Sequence, residues 1–151
     1  SNEITANSFT EMMKTVNISK ILFLRHGKTG PSTTGKDFDR LLMPEGQEQA
    51  KEAGRLFAER LKPFFSPVIV SSSPRTVETA QLFLEGAGAD DIELSLVQDL
   101  YDGTMQPRGS ELFAKFGYAP LREYLENDIR EERDDARAIL GQYAHTAIEA
   151  I

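Results

Sequence analysis

Apolar positions along the chain alternate between compact runs and helical stripes, and their order predicts a fold class. Ser8-Phe9-Thr10-Glu11 has capping-box spacing, and Phe9, Met12, Met13 and Val16 share one helical face, so a short docking helix is expected there. Ile21-Leu22-Phe23-Leu24 is an unbroken apolar run of strand length, which predicts a buried strand stopping at Arg25-His26-Gly27. Gly, Pro, Ser and Thr dominate residues 29–36, as in a loop. Pro44 then opens a helix in which Ala50, Ala53, Phe57 and Leu61 face one way. Glu48, Lys51, Glu52, Arg55 and Glu59 face water.

Pro67-Val68-Ile69-Val70 predicts a second buried strand, which again runs into a polar turn, Ser71-Ser72-Ser73-Pro74-Arg75. A helix from about Arg75 to Glu85 is expected to bury Val77, Ala80 and Leu84 and to end at Gly86 and Gly88. Residues 92–96 alternate with period two, as a third strand would, and 109–119 suggest a short helix. Leu125, Ile129, Ala136, Leu140, Tyr143, Ala147 and Ile151 trace one stripe, read as two helices broken near Asn127. The charge run over residues 130–135 is that helix's solvated face.

Strand, polar turn, helix, repeated, predicts an α/β fold: a three-layer sandwich with a mostly parallel central sheet. Residues 1–18 read as an N-terminal extension and 19–151 as one domain. In such sheets ligands bind beyond the carboxyl ends of the strands. Arg25, His26 and the segment from Ser71 to Arg75 occupy those ends, so two arginines and a histidine about fifty positions apart are expected to converge.

Composition narrows the chemistry. The 151 residues carry a formal net charge of −7 and no cysteine, which removes disulfides, thiolate zinc sites and cysteine nucleophiles. An acidic chain does not suit non-specific binding to nucleic acid or to an anionic membrane, so neither is an expected partner, and an anionic ligand must be held by clustered arginines. No apolar run approaches the roughly 18 residues of a membrane span. A cytoplasmic or other reducing compartment is expected, with removal of a targeting peptide as the open alternative.

A neutral imidazole at His26 offers one lone pair, and flanking arginines would oppose its protonation. Two guanidinium forks suit the oxygens of a phosphoryl group, so a phosphate ester explains all three residues together. Gly27 lets the backbone pass close to the site, and its carbonyl is placed to hold the other imidazole nitrogen as N–H. Each residue also has a plainer reading: His26 as a hydrogen-bonded structural histidine, and Arg75 as a surface ion-pair former.

Three blocks carry a resemblance. Residues 21–29, Ile21 through Arg25-His26-Gly27-Lys28-Thr29, come first; Leu42-Met43-Pro44-Glu45-Gly46 through Ala50 follow; Val70 through Ser73-Pro74-Arg75-Thr76-Val77-Glu78-Thr79-Ala80 close the set. In order and spacing the chain resembles the histidine phosphatase, or phosphoglycerate-mutase-like, superfamily over residues 20–103. Asp37-Phe38-Asp39-Arg40-Leu41-Leu42 looks most like its small phosphohistidine phosphatases.

The resemblance implies that His26 attacks phosphorus to form a covalent phosphohistidine, with Arg25 and Arg75 stabilising the equatorial oxygens. Gly27, Lys28, Thr29 and Arg40 would bind substrate; for Arg40, an ion pair with Asp37 or Asp39 is the alternative. No metal and no cofactor are implied. The substrate would be a phosphorylated small molecule or a phosphoprotein, with a mutase as the second enzymatic reading. The acid protonating the leaving oxygen would be Asp102 or Asp99, although the usual glutamate pattern is missing. Met43 stands where a capping threonine is common in the family. The family's second histidine follows a further buried strand; here His145 lies within a helical stripe, so either a longer catalytic chain or a phosphate-binding module lacking that histidine is expected.

Overall fold

The structure, a computed structural model, describes residues 21–61, 68–117 and 119–151. The docking helix expected at residues 8–16 lies outside them. The described residues fall into two compact units, 21–98 and 99–151.

The first unit contains a 3-10 turn, Asp37–Asp39, then α1 (Pro44–Leu61), β1 (Val68–Ser71), α2 (Pro74–Gly86) and β2 (Leu94–Val97). Pro44 starts α1 because its fixed φ suits a first helical turn, where a missing N–H costs nothing. β1 and β2 pair in parallel, Val68 opposite Leu94 through Ser71 opposite Val97, with α2 as the crossover that parallel strands require. The α/β class and its parallel pairing are therefore as expected. Phe83, Leu84, Ala87 and Ala89 form the buried core against Ala53, Phe57 and Ala58 of α1, Val68 and Leu94 of the strands, and Ile92 in the bend before β2.

Helix α2 ends in a Schellman arrangement: Ala89 N–H donates to the Leu84 carbonyl and Gly88 N–H to that of Glu85. Gly88 sits at φ +70°, a conformation open to glycine at little cost. Gly86, expected as part of the stop, lies inside the last turn instead. There a Cβ would fall 2.1 Å from the Lys51 carbonyl oxygen, and one on Gly54 would fall 2.0 Å from that of Phe83. The two glycines thus let the backbones of α1 and α2 meet.

Two expectations need correction here. Residues 21–24 form no strand, and Leu22, Phe23 and Leu24 are 45%, 46% and 41% exposed. An apolar run becomes a buried strand only when neighbouring strands take up its backbone groups; among the described residues the one ladder between strands joins β1 and β2. On α2 the deepest positions are Arg75, Thr79, Phe83 and Leu84, with Val77 and Ala80 only half-buried. The face turned inward carries an arginine and a threonine that hydropathy alone assigns to solvent.

The second unit is helical: α3 (Gln98–Thr104) follows directly on β2, then α4 (Pro107–Phe116), α5 (Leu121–Leu125) and α6 (Arg130–Glu149). Leu112, Tyr124 and Ala136 are its buried centre, and the Tyr124 hydroxyl donates to the Gly117 carbonyl at 2.7 Å. The break between α5 and α6 falls where expected, with Asn127 Oδ1 accepting from Ile129 N–H at 2.7 Å. The inward stripe differs at its ends: Ile129 and Ile151 are half exposed, and Ala144 and Ile148 are buried in their place. The charge run is not merely solvated, because Arg108 and Lys115 of α4 pair with Asp135 and Glu132 of α6. No helix among the described residues is long and apolar enough to cross a membrane.

Candidate active site

His26 follows the exposed apolar run and is fixed by short backbone links. Its Nδ1 lies 2.8 Å from the Gly27 carbonyl oxygen. A carbonyl only accepts, so Nδ1 carries the hydrogen and Nε2 keeps the lone pair. Gly27 N–H donates to Thr79 Oγ1 at 3.2 Å, and that hydroxyl donates to the Arg75 carbonyl at 2.7 Å. Buried Thr79 therefore ties the His26 segment to the first turn of α2, which supplies Arg75. On the other side, a Cβ on Gly27 would fall 2.3 Å from the Gly46 carbonyl oxygen. Only backbones without side chains can cross so closely, which places the start of α1 beside His26.

The chain after His26 is held by an isolated antiparallel bridge between Thr29 and Leu42. Gly30 N–H donates to the Leu41 carbonyl at 3.1 Å, and Met43 N–H to that of Lys28 at 2.9 Å. The loop between returns on itself and presents the 3-10 turn. Lys28 turns its Nζ to Glu45 at 2.7 Å, and its backbone N–H donates to Gln49. Thr29 is buried and its hydroxyl accepts from Arg40 Nη2.

Arg75 is 5% exposed, so the surface ion-pair reading is corrected: it pairs, but from a buried position. Its partner is Asp37, whose Oδ2 accepts from Nη2 at 2.9 Å and whose backbone carbonyl accepts from Nη1 at 2.7 Å. The other carboxylate oxygen of Asp37 accepts from Arg40 Nη1 at 3.1 Å. Arg40 thus makes the ion pair with Asp37 that is its alternative reading, and its charge also acts on His26.

The His26 pKa is lowered from 6.5 to about 4. Burial, which penalises the imidazolium, is the largest cause; like charge from Arg75, Arg25 and Arg40 adds to it, and the Gly27 hydrogen bond opposes it. At neutral pH the site therefore offers an uncharged imidazole with a lone pair on Nε2 in the field of three arginines. Such a group suits a nucleophile directed at an anionic, electrophilic centre.

Within the first unit Arg25, Arg40 and Arg75 act on His26 by their charge, Gly27 and Thr29 are bonded to Thr79 and Arg40, and the Lys28 ammonium is turned to Glu45. Asp99 and Asp102 lie on α3 in the second unit, both exposed. His145 lies on α6, its Nε2 2.8 Å from Glu149 Oε1.

The model of the histidine phosphatase superfamily, branch 1, matches residues 21–117, more than half of the chain. The chain belongs to the histidine phosphatase superfamily. The match takes in Arg25, His26, Arg40, Arg75 and Asp102, and membership supports phosphoryl-transfer chemistry of the phosphatase or mutase type. Neither the comparison with curated proteins nor that with solved structures returns a match.

Two features of this superfamily member escape sequence reasoning. Thr79 reads as an ordinary polar position of a helix, and nothing in its spacing from Gly27 signals the link. Asp37 is visible as a partner for Arg40 through its i,i+3 spacing, but its hold on Arg75, 38 positions on, follows only from the return of the loop.

Proposed function

We propose that the chain is a histidine phosphatase that hydrolyses a phosphomonoester or phosphohistidine substrate through a covalent phosphohistidine on His26. The supporting observation is the bond from His26 Nδ1 to the Gly27 carbonyl, which leaves Nε2 nucleophilic where three arginines act on it. In the first step Nε2 forms a bond to phosphorus as the bond to the leaving group breaks. The leaving atom takes a proton from an acid, assigned to Asp102 with Asp99 the alternative. In the second, water attacks the phosphohistidine, phosphate departs, its proton passes to the same carboxylate, and the imidazole returns. Arg25, Arg75 and Arg40 offset the negative charge on the phosphoryl oxygens. Gly27, Lys28 and Thr29 line the substrate's approach, and the residues assigned roles do this chemistry without calling on a metal.

The test is single-turnover phosphorylation with a small phosphodonor, read as acid-labile phosphate on the protein. Wild type is expected to acquire one such group and His26→Ala none; hydrolysis that persists in His26→Ala overturns the scheme. A second reading, a phosphate- or phosphoprotein-binding module, is favoured by the engagement of the other histidine, His145, with Glu149. Removing one transition-state donor costs about 10²- to 10³-fold in rate. Tight phosphate binding without any phosphohistidine selects this second reading.

A further inference from the structure

Asp37 is a charged residue beside the site's arginines to which the reaction scheme assigns nothing. It opens the 3-10 turn in the loop that the Thr29–Leu42 bridge closes, and it meets two of the three arginines that act on His26. Its carboxylate is divided between them, Oδ2 to Arg75 and Oδ1 to Arg40, and its backbone carbonyl takes a second bond from Arg75. Two guanidiniums side by side repel each other, and the intervening carboxylate offsets that repulsion. The two arginines need it unequally. Arg75 is enclosed by the fold, whereas the Arg40 side chain is 31% exposed and keeps its place through Asp37, the Gly30 carbonyl and the Thr29 hydroxyl.

We propose that Asp37 is a positioning residue, a clasp that holds Arg75 and Arg40 together as one binding unit for a phosphoryl group. The inference rests on the phosphoryl-transfer reading above. A carboxylate bonded to two arginines suggests a contrary role as well, in which Asp37 occupies the place of the anion and must be displaced. The division of its oxygens, with the main-chain carbonyl joined to the same guanidinium, favours the clasp: displacing the side chain would leave the turn still bonded to Arg75.

The experiment measures the affinity of vanadate and inorganic phosphate, and the phosphorylation rate of His26, in Asp37→Ala, Asp37→Asn, Arg40→Ala and the Asp37→Ala/Arg40→Ala double variant. Misplacing a binding group by about 1 Å can cost on the order of 100-fold. Asp37→Ala is expected to weaken vanadate binding by roughly 10- to 100-fold. The combined loss in the double variant is expected to fall short of the product of the single losses, because Asp37 acts through Arg40. A merely structural role for Asp37 would give independent losses that multiply, and that result overturns the proposal. Unchanged or tighter anion binding in Asp37→Ala also overturns it, the tighter case showing a competing carboxylate. If Asp37→Ala does not fold, Asp37→Asn with its matching double variant decides in the same way, since it keeps the shape and removes the charge. Failure of the underlying reading is distinguished in the wild type, by absence of both vanadate binding and phosphohistidine.

Discussion

At the scale of single residues, the site is a problem in holding one imidazole neutral and aimed. The lowered pKa of His26 has a definite sign for stability. Between about 6.5 and about 4 the unfolded chain binds a proton that the folded chain refuses, so folding loses stability as pH falls through that window and is indifferent to this group above it. The His26 ring is expected to stay unprotonated down to about pH 4 in an NMR titration, its signal assigned by its absence from His26→Ala. Relative to wild type, His26→Ala should gain in melting temperature from pH 7 to pH 5. A His26 midpoint at or above 6.5, or parallel melting curves for the two proteins, would refute the burial of this imidazole. Arg75→Ala should move the midpoint upward, since that guanidinium opposes protonation.

At the scale of elements, glycine decides more than hydrophobicity does. Ala is favoured over Gly in a helix interior by about 1 kcal/mol, whereas forcing an atom into a filled space costs about 1–3 kcal/mol. At Gly54 the new methyl would meet a backbone oxygen at 2.0 Å, which no rotamer can relieve, so the second effect wins and Gly54→Ala should melt lower than wild type. Gly103, inside α3, has open space where its Cβ would point, so there the helix preference stands alone and Gly103→Ala should melt higher. Equal shifts in both variants would mean that α1 and α2 do not meet as described. The same contrast marks what was legible. The helix opened by Pro44, the β1–α2–β2 order and the break near Asn127 are local signals, carried by Pro, Gly, Asn and periodicity. The fate of residues 21–24 depends on strand partners, which no local pattern encodes. Arg25, His26, Arg40 and Arg75 are legible because they follow apolar runs or match spaced motifs. The links from Thr79 to Gly27 and from Asp37 to Arg75 are not, because they span 52 and 38 positions.

At the scale of the whole molecule, a chain with an excess of acid carries a small basic site. Lys and Arg number 17 against 24 Asp and Glu, yet three of those arginines act on one histidine. Long-range attraction therefore contributes little to anion capture; the contacts at the site must supply it, since charges more than about 10 Å apart are largely screened at 0.1 M salt. The same excess makes the proton donor hard to single out, because a carboxylate in an acidic chain is common and Asp99 and Asp102 are both exposed on the same helix. Leaving-group chemistry separates them. An alkoxide leaves only with help from an acid, while the nitrogen of a phosphoramidate or the oxygen of an activated aryl phosphate needs far less. If Asp102 donates the proton, Asp102→Asn should slow phosphorylation of His26 by an alkyl phosphate by about 10²- to 10⁴-fold and leave its phosphorylation by a phosphoramidate nearly intact. Asp99→Asn should then act as wild type on both. The reverse pattern transfers the role to Asp99. Equal losses on every substrate, in a variant that melts like wild type, would remove proton donation from Asp102 and assign it to substrate binding.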